Sequence, residues 1–172
     1  MSATNTMPAP AAIAADDTRN RVYADLREGE EFKPLHINVT QPHINGFQDF
    51  LGHADPTVKE TSWLIGNNLH VDEDYSRRNM YGGVVGDGHQ TIQYLCQLIT
   101  DSLPWGSLVS GYSSLDVKLT NPTRPGDEVV ATGKIARKYA KDGRDMVTCE
   151  VSASKQGDKL VAVGSFEVYV PR

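Results

Sequence analysis

The chain after Trp105 most constrains the fold, because it consists of segments that alternate, or nearly alternate, apolar and polar residues. The four segments are "SLVSGYSSLDVKLT", "DEVVATGKIARKYA", "DMVTCEVSASKQ" and "KLVAVGSFEVYV". A period of two is typical of strands, whose side chains point alternately to the two faces of a sheet. The connections "NPTRPGD", "KDGR" and "QGD" are short and rich in turn-forming residues. Four strands in series with such connections predict an antiparallel sheet.

Before this region the sequence predicts one long helix. In "HQTIQYLCQLITDSLP", which follows Gly88, apolar residues recur at helical spacing, and Pro104 ends the pattern. The predicted apolar face consists of Ile92, Leu95, Cys96 and Ile99. One long helix and a mostly antiparallel sheet predict a single α+β domain in which the sheet wraps around the helix.

Two further elements are predicted closer to the N-terminus. Residues 30–40 predict a first strand that lies at an edge of the sheet or begins after Pro34. Residues 40–53 predict a short amphipathic helix with Thr40 as its N-cap. Residues 54–69 show neither period, and we expect a loop that covers part of the domain.

Size and charge limit the class of protein. A chain of 172 residues is long enough for one domain, and we predict a flexible tail over residues 1–22 and the domain over residues 23–172. The net charge of -5 provides no basic surface for phosphates, so we expect no nucleic-acid partner. No apolar run approaches the roughly 20 residues of a membrane span, and the N-terminus lacks the pattern of a signal peptide. We therefore predict a cytoplasmic protein without a membrane partner.

The two cysteines, Cys96 and Cys149, lie far apart and belong to no pair with metal-ligand spacing. We interpret them as reduced, buried thiols. The sequence predicts no metal site and no cofactor.

Residues 67–90, "NNLHVDEDYSRRNMYGGVVGDGHQ", concentrate amide, imidazole and carboxylate side chains ahead of the long helix. This segment, followed later by "NPTRPGDEVVATGKI", resembles the MaoC-like hydratases and dehydratases of the hot-dog fold. In that family a stretch Gly-Asp-x-Asn-Pro-Leu-His-x-Asp, then an aromatic-Gly-Gly and a His-Gly pair, leads into the central helix. The resemblance covers roughly residues 30–170. Seven residues fall at the family spacing: His70, Asp72, Tyr75, Tyr81, Gly82, Gly83 and Gly88.

Two departures from the family pattern concern its polar groups. The position of the water-activating aspartate holds Ile65, and the proline position holds Asn68. The histidine of the His-Gly pair is replaced by Asp87, and a histidine, His89, follows Gly88 instead. An alternative alignment places "GHADP", residues 52–56, on the Gly-Asp-x-Asn-Pro element, with His53 at the aspartate position. Both alignments stay open at the level of sequence.

The resemblance implies catalytic roles for His70 and Gly88. His70 would move the proton, and the backbone N–H of Gly88, at a helix start, would hold the oxygen of the enolate. We predict substrate-binding roles for Asn67, Asn68, Tyr81, Asp87 and His89. Purely structural roles compete with these: asparagine is common in turns, Asp72 is a typical helix N-cap, and Asp87 with His89 suits a polar helix start.

The resemblance also implies an enzyme that hydrates an enoyl thioester or dehydrates a 3-hydroxyacyl thioester, bound to coenzyme A or a carrier protein. Because the family aspartate is missing, an intramolecular addition or cyclisation in secondary metabolism also fits. The alternatives are a non-catalytic hot-dog subunit that needs a partner chain, and a hot-dog thioesterase that uses Asp87. We further expect a homodimer, because a five-stranded sheet around one helix leaves an exposed edge and a half-built pocket.

Overall fold

The computed structural model describes residues 20–54 and 68–171, with side chains up to residue 50 in the first range. Ile65, Asn67 and the side chain of His53, which the sequence analysis singled out, lie outside the described residues. Most of the predicted tail also lies outside them. Arg21, near the end of that tail, pairs with Glu30 at 2.6 Å. The boundary between tail and domain stays a prediction.

Five strands form one antiparallel sheet in the order β1-β3-β4-β5-β2. Their bounds are β1 Leu35–Asn38, β2 Ser114–Leu119, β3 Glu128–Lys141, β4 Arg144–Lys155 and β5 Lys159–Tyr169. The antiparallel sheet predicted from the alternating segments is confirmed. The short strand β1 begins directly after Pro34 and lies at an edge of the sheet, as its sequence indicates.

The tight turns between the late strands follow from residues that tolerate a positive φ. Asp142 and Gly143 join β3 to β4 with φ of 51° and 74°, and Gly157 and Asp158 join β4 to β5 with φ of 73° and 56°. Aspartate and glycine favour this left-handed backbone, which occurs in the two-residue turn 142–143 and in the three-residue turn 156–158. The register of the three long strands is therefore set locally.

Among the described residues three α-helices accompany the sheet, namely α1 Gln41–Ala54, α2 Glu73–Arg77 and α3 Gly88–Ser102. Helix α3 packs mainly against β1, β3, β4 and β5. Its fully buried apolar residues are Leu95, Leu98 and Ile99, whereas Ile92 and Cys96 are half-buried. The apolar face is thus rotated slightly from the predicted one, toward Leu98. Sheet residues such as Ile135, Val147 and Phe166 complete the core.

The segment 107–113 differs from its prediction. The sequence alternates there, but β2 begins only at Ser114 and the preceding residues form turns. Gly106 and Gly111 take φ of 83° and 81°, which interrupts an extended strand, and the hydroxyl of Ser107 donates to the carbonyl of Pro104 at 2.6 Å. Local turn chemistry prevails over the period of two.

No helix in residues 20–54 and 68–171 is long and apolar enough to cross a membrane.

Candidate active site

Two polar side chains shape the backbone around His70. The Oδ1 of Asn68 accepts hydrogen bonds from the backbone N–H groups of His70 and Val71, at 2.7 and 3.1 Å. The Oδ1 of Asp72 accepts from the N–H of Tyr75 at 2.8 Å and so caps α2. Asn68 is 1% exposed. The turn that carries the histidine is therefore held at both ends, as expected for asparagine and aspartate at such positions.

The imidazole of His70 has two different environments. Its Nδ1 lies 2.8 Å from the carbonyl oxygen of Val85. A carbonyl only accepts, so Nδ1–H donates, and the neutral ring carries its lone pair on Nε2. That Nε2 lies 3.7 Å from Oδ2 of Asp87, too far for a hydrogen bond, but near enough for the carboxylate to attract the ring once the ring is protonated. His70 is thereby oriented as a proton acceptor with a carboxylate beside it.

Asp87 caps α3 and is also the carboxylate of the site. Its Oδ1 accepts from the backbone N–H of His89 at 2.8 Å and from Nδ1 of the same residue at 3.1 Å. Its Oδ2 accepts from Nε2 of Gln48 at 2.9 Å. Burial raises the pKa of Asp87, but the hydrogen bonds from Gln48 and His89 and the charge of His70 together bring that pKa below its usual value. Asp87 is therefore ionised at neutral pH.

The backbone at the start of α3 is closely approached by other parts of the chain. The N–H of Gly88 has no hydrogen-bond partner among residues 20–54 and 68–171, as expected for the first turn of a helix. A Cβ at Gly88 would lie 2.6 Å from Cδ1 of Leu119. The N–H of Gly86 donates to the carbonyl of Thr123 at 2.8 Å, and a Cβ there would lie 2.2 Å from the hydroxyl oxygen of Thr123. A side chain at Gly86 would collide with the short side chain of Thr123, whereas one at Gly88 would displace the flexible end of Leu119.

Arg124 stabilises the turn that contains the two glycines before α3. Its guanidinium donates through Nη2 to the carbonyl of Tyr81 and through Nη1 to the carbonyl of Val84, the latter at 3.2 Å. Gly82 and Gly83 lie between these carbonyls with φ of 64° and 152°, a conformation that side chains other than hydrogen disfavour. Arg124 thus fixes the turn that leads to the cleft.

A cleft of about 280 Å³ lies between the His70 turn, the start of α3 and the connection after β2. His70, Tyr81 and Gly88 line it, so the structure brings together both predicted catalytic residues and one predicted substrate-binding residue. Apart from the amide of Asn121, the side chains of the remaining wall are apolar or hydroxyl-bearing and include Leu69, Val85, Thr91, Leu119 and Thr123.

The other predicted binding residues lie elsewhere. Asn68 and Asp87 are buried and do not line the cleft. Their side chains lie next to His70, which does line it. His89 is 82% exposed and contacts the far oxygen of Asp87. Their roles in substrate binding stay predictions. In the described part of the chain no group of three or more His, Cys, Asp and Glu residues is arranged to hold a metal ion.

Gln48 belongs to the site although its sequence context did not single it out. It lies on α1, four residues after the buried Ile44, and it is 8% exposed. A glutamine on the apolar stripe of an amphipathic helix is the signal that was available, because such a residue needs a buried polar partner. The identity of that partner, Asp87, depends on the packing of two helices.

Comparisons with known proteins agree with this architecture. No family model matches the chain. A curated relative, the uncharacterised protein YdeM of Bacillus subtilis (strain 168), is 23% identical over 146 residues, which cover 84% of this chain and 94% of YdeM. The unliganded R-hydratase PhaJ1 from Pseudomonas aeruginosa superposes with a TM-score of 0.67 at 18% identity, covering 88% of this chain and 86% of that one. The MaoC-like dehydratase from Rhodospirillum rubrum gives 0.66 at 24% identity, covering 88% and 97%.

These neighbours confirm the fold implied by the sequence. The chain has the hot-dog fold that is seen in MaoC-like dehydratases and R-hydratases. Because one fold hosts many functions, the fold alone does not define the function of this chain.

Proposed function

We propose that the protein is a hydro-lyase-like enzyme that interconverts an enoyl thioester and a 3-hydroxyacyl thioester, bound to coenzyme A or a carrier protein. The observation that carries the proposal is the shared cleft of His70 and Gly88. It offers a proton acceptor at Nε2 and, at a helix start, an N–H that has no partner among the described residues, the two groups that enolate chemistry requires.

In the dehydration direction, Nε2 of His70 takes the proton from the α-carbon of the substrate. The electron pair of that C–H bond moves to the thioester carbonyl oxygen, which the N–H of Gly88 holds by a hydrogen bond. The enolate then re-forms its carbonyl, the bond to the β-hydroxyl breaks, and the leaving oxygen takes the proton from the imidazolium as water departs. General acid-base help of this kind contributes about 10²- to 10⁴-fold in rate.

Asp87 supplies the negative charge that the reaction needs beside the imidazole. The imidazolium formed at His70 faces Oδ2 of Asp87 at 3.7 Å. This carboxylate comes from the helix start and not from the position of Ile65. Since no second base is held in the described part of the cleft, attack by a hydroxyl of the substrate itself, giving a ring, is the variant reaction that fits the same residues.

We also propose that a second copy of the chain completes the cleft. The edge strand β2 leaves Leu115 47% and Leu119 45% exposed, and Leu119 lines the cleft. Unpaired strand edges with apolar side chains favour pairing with another chain. Edge-to-edge pairing of two sheets would cover Leu115 and close one side of the cleft.

The test is a spectrophotometric assay with crotonyl-coenzyme A, in which hydration removes the absorbance of the enoyl thioester and leaves the thioester bond intact. We expect hydration by the wild type and a loss of about 10²-fold or more in kcat for His70→Ala. His36→Ala, which removes an exposed histidine on β1, is the matched control. Undiminished activity of His70→Ala would refute the proposal.

The same assay distinguishes the alternatives. A thiol reagent detects free coenzyme A, and its release at the rate of enoyl loss would indicate a thioesterase. A protein that is inert alone and active after mixing with a second hot-dog chain would be a subunit that needs a partner. Turnover of a hydroxyl-bearing enoyl thioester without hydration of crotonyl-coenzyme A would indicate the cyclising variant.

A further inference from the structure

Two glutamines join α1 to the start of α3, and both are more than nine-tenths buried. Gln48 donates from Nε2 to Oδ2 of Asp87 at 2.9 Å, and Gln90 donates from Nε2 to the carbonyl of His43 at 3.2 Å. The amide oxygens of both side chains lack a partner among the described residues. A buried amide oxygen without a partner is unfavourable, so packing alone does not account for these glutamines.

The carboxylate of Asp87 uses its two oxygens differently. Oδ1 takes both hydrogen bonds from His89 and caps α3. Oδ2 takes the hydrogen bond from Gln48 and is the oxygen that lies 3.7 Å from Nε2 of His70. Gln48 therefore contacts the one oxygen that faces the imidazole. A donor at that oxygen favours the charged carboxylate and fixes the direction in which it points.

We propose that Gln48 is a positioning residue, which keeps the Asp87 carboxylate ionised and turned toward His70 during the proton transfer of the proposed function, on which this inference rests. When His70 takes up a proton, the imidazolium then meets a fixed negative charge. Gln48 itself does not line the cleft, so it acts on the substrate only through Asp87 and His70.

The titratable groups that face Asp87 come from two elements. His70 approaches from the turn before α2, and His89 belongs to α3 itself, while α1 contributes the neutral amide of Gln48. A substitution at Gln48 leaves both histidines in place. Any change in proton binding by Asp87 in such a variant therefore reports the loss of the amide.

Gln48→Met and Gln90→Met form a matched pair. Each replaces a buried amide by a side chain of similar length, and each removes one hydrogen bond between α1 and α3. A ¹³C NMR titration of the Asp87 carboxyl group, assigned with Asp87→Asn, measures proton binding directly. We expect Gln48→Met to bind the proton at Asp87 about tenfold more tightly than the wild type does, because hydrogen bonds to charged groups are strong. Gln90→Met should leave that titration unchanged.

Two results would overturn the inference: an Asp87 titration that is unchanged in Gln48→Met, or one that changes equally in both variants. If Gln48→Met does not fold, Gln48→Glu provides the test. Two carboxyl groups in contact share a proton, so we expect the pair to bind its first proton at a higher pH than Asp87 does in the wild type. An unchanged titration in that variant would equally contradict the inference.

Kinetics separate the role of Gln48 from the proposed function. In an active protein, Gln48→Met should lower kcat with little change in KM, whereas Gln90→Met should change neither, although both lower the melting temperature. The NMR titration needs no turnover. A shifted titration in a protein that does not act on any thioester would refute the proposed function and leave the contact between Gln48 and Asp87 established.

Discussion

Gly86 and Gly88 are two residues apart at the start of α3, yet their surroundings predict different effects of substitution. A Cβ at Gly88 would meet Cδ1 of Leu119, the end of a half-exposed and flexible side chain, whereas a Cβ at Gly86 would meet the hydroxyl of Thr123 at 2.2 Å, beside the carbonyl to which Gly86 donates. We expect Gly88→Ala to fold and to lose about tenfold or more in kcat/KM, because the new methyl group crowds the N–H that would hold the substrate oxygen in the proposed reaction.

Gly86→Ala is the comparison for this prediction. It should lower the melting temperature more than Gly88→Ala does, because the contact it disturbs involves a short side chain close to backbone. Thermal unfolding and kcat/KM, measured on both variants, give the result. A Gly88→Ala protein with the kinetics of the wild type would show that the N–H of Gly88 does not approach the substrate.

The charge of Asp87 should make stability depend on pH in a defined direction. The pKa of Asp87 is lowered in the folded chain, so its contribution is fully present above the unfolded value of about 3.9 and is lost as pH falls through the folded value. Asp87→Asn keeps a good helix cap but removes the charge. We therefore expect the difference in unfolding free energy between wild type and Asp87→Asn to be largest near neutral pH and to shrink below about pH 4.

Urea unfolding at several pH values measures this difference. Asp74→Asn, which neutralises an exposed aspartate of α2, serves as the control and should show no such trend. A difference that stays constant from pH 7 to pH 3 would mean that the charge of Asp87 contributes nothing to folding.

At the scale of the elements, short-range patterns predict most helices and strands of the fold correctly. The start of α3 at Gly88 and the hairpin turns at Asp142 and Gly157 all follow from residues within a few positions of each other. The prediction was wrong for residues 107–113, where an alternating pattern resembles a strand but the glycines turn the chain. An alternating pattern indicates that one face of a segment is buried, but it does not indicate where the backbone turns.

The site was predictable only where local sequence determines it. The positions of His70 and Gly88 on one cleft agree with the pattern in residues 67–90. Sequence spacing did not predict that Asp87 would be the carboxylate beside His70, nor that Gln48 would bind it. Gln48 and Asp87 are 39 positions apart in the chain and meet only through the packing of α1 on α3. Contacts of that kind depend on tertiary structure and leave little trace in a single sequence.

Helix α2 depends on its cap for stability. Asp72 accepts from the N–H of Tyr75, and α2 has only five residues. A helix this short has little stability of its own. We expect Asp72→Ala to lower the unfolding free energy by about 1 kcal/mol, the usual effect of losing an N-cap. Asp74→Ala removes the same charge without a cap and should change stability much less, and urea unfolding of both variants decides between a capping role and a general effect of charge.

For the whole molecule, the exposed edge strand predicts self-association. Light scattering at micromolar concentration should give twice the chain mass of 18.9 kDa. Leu115→Lys should shift the protein toward the monomer, because a charged residue on a strand edge disfavours pairing. Val163→Lys, on the inner strand β5, places the same charge at a similarly exposed apolar position and should leave the mass unchanged. A wild-type mass near 18.9 kDa would contradict the predicted dimer.

The double use of Asp87 limits how this chain can diverge during evolution. One side chain begins the central helix and also faces the imidazole. Serine, threonine or asparagine satisfies the helix but removes the negative charge, and glutamate keeps the charge but is a poorer cap. Selection for stability and selection for the proposed activity would therefore act on a single codon. If the proposed activity is real, descendants that lose it are expected to drift to asparagine or serine at this position before they lose the fold.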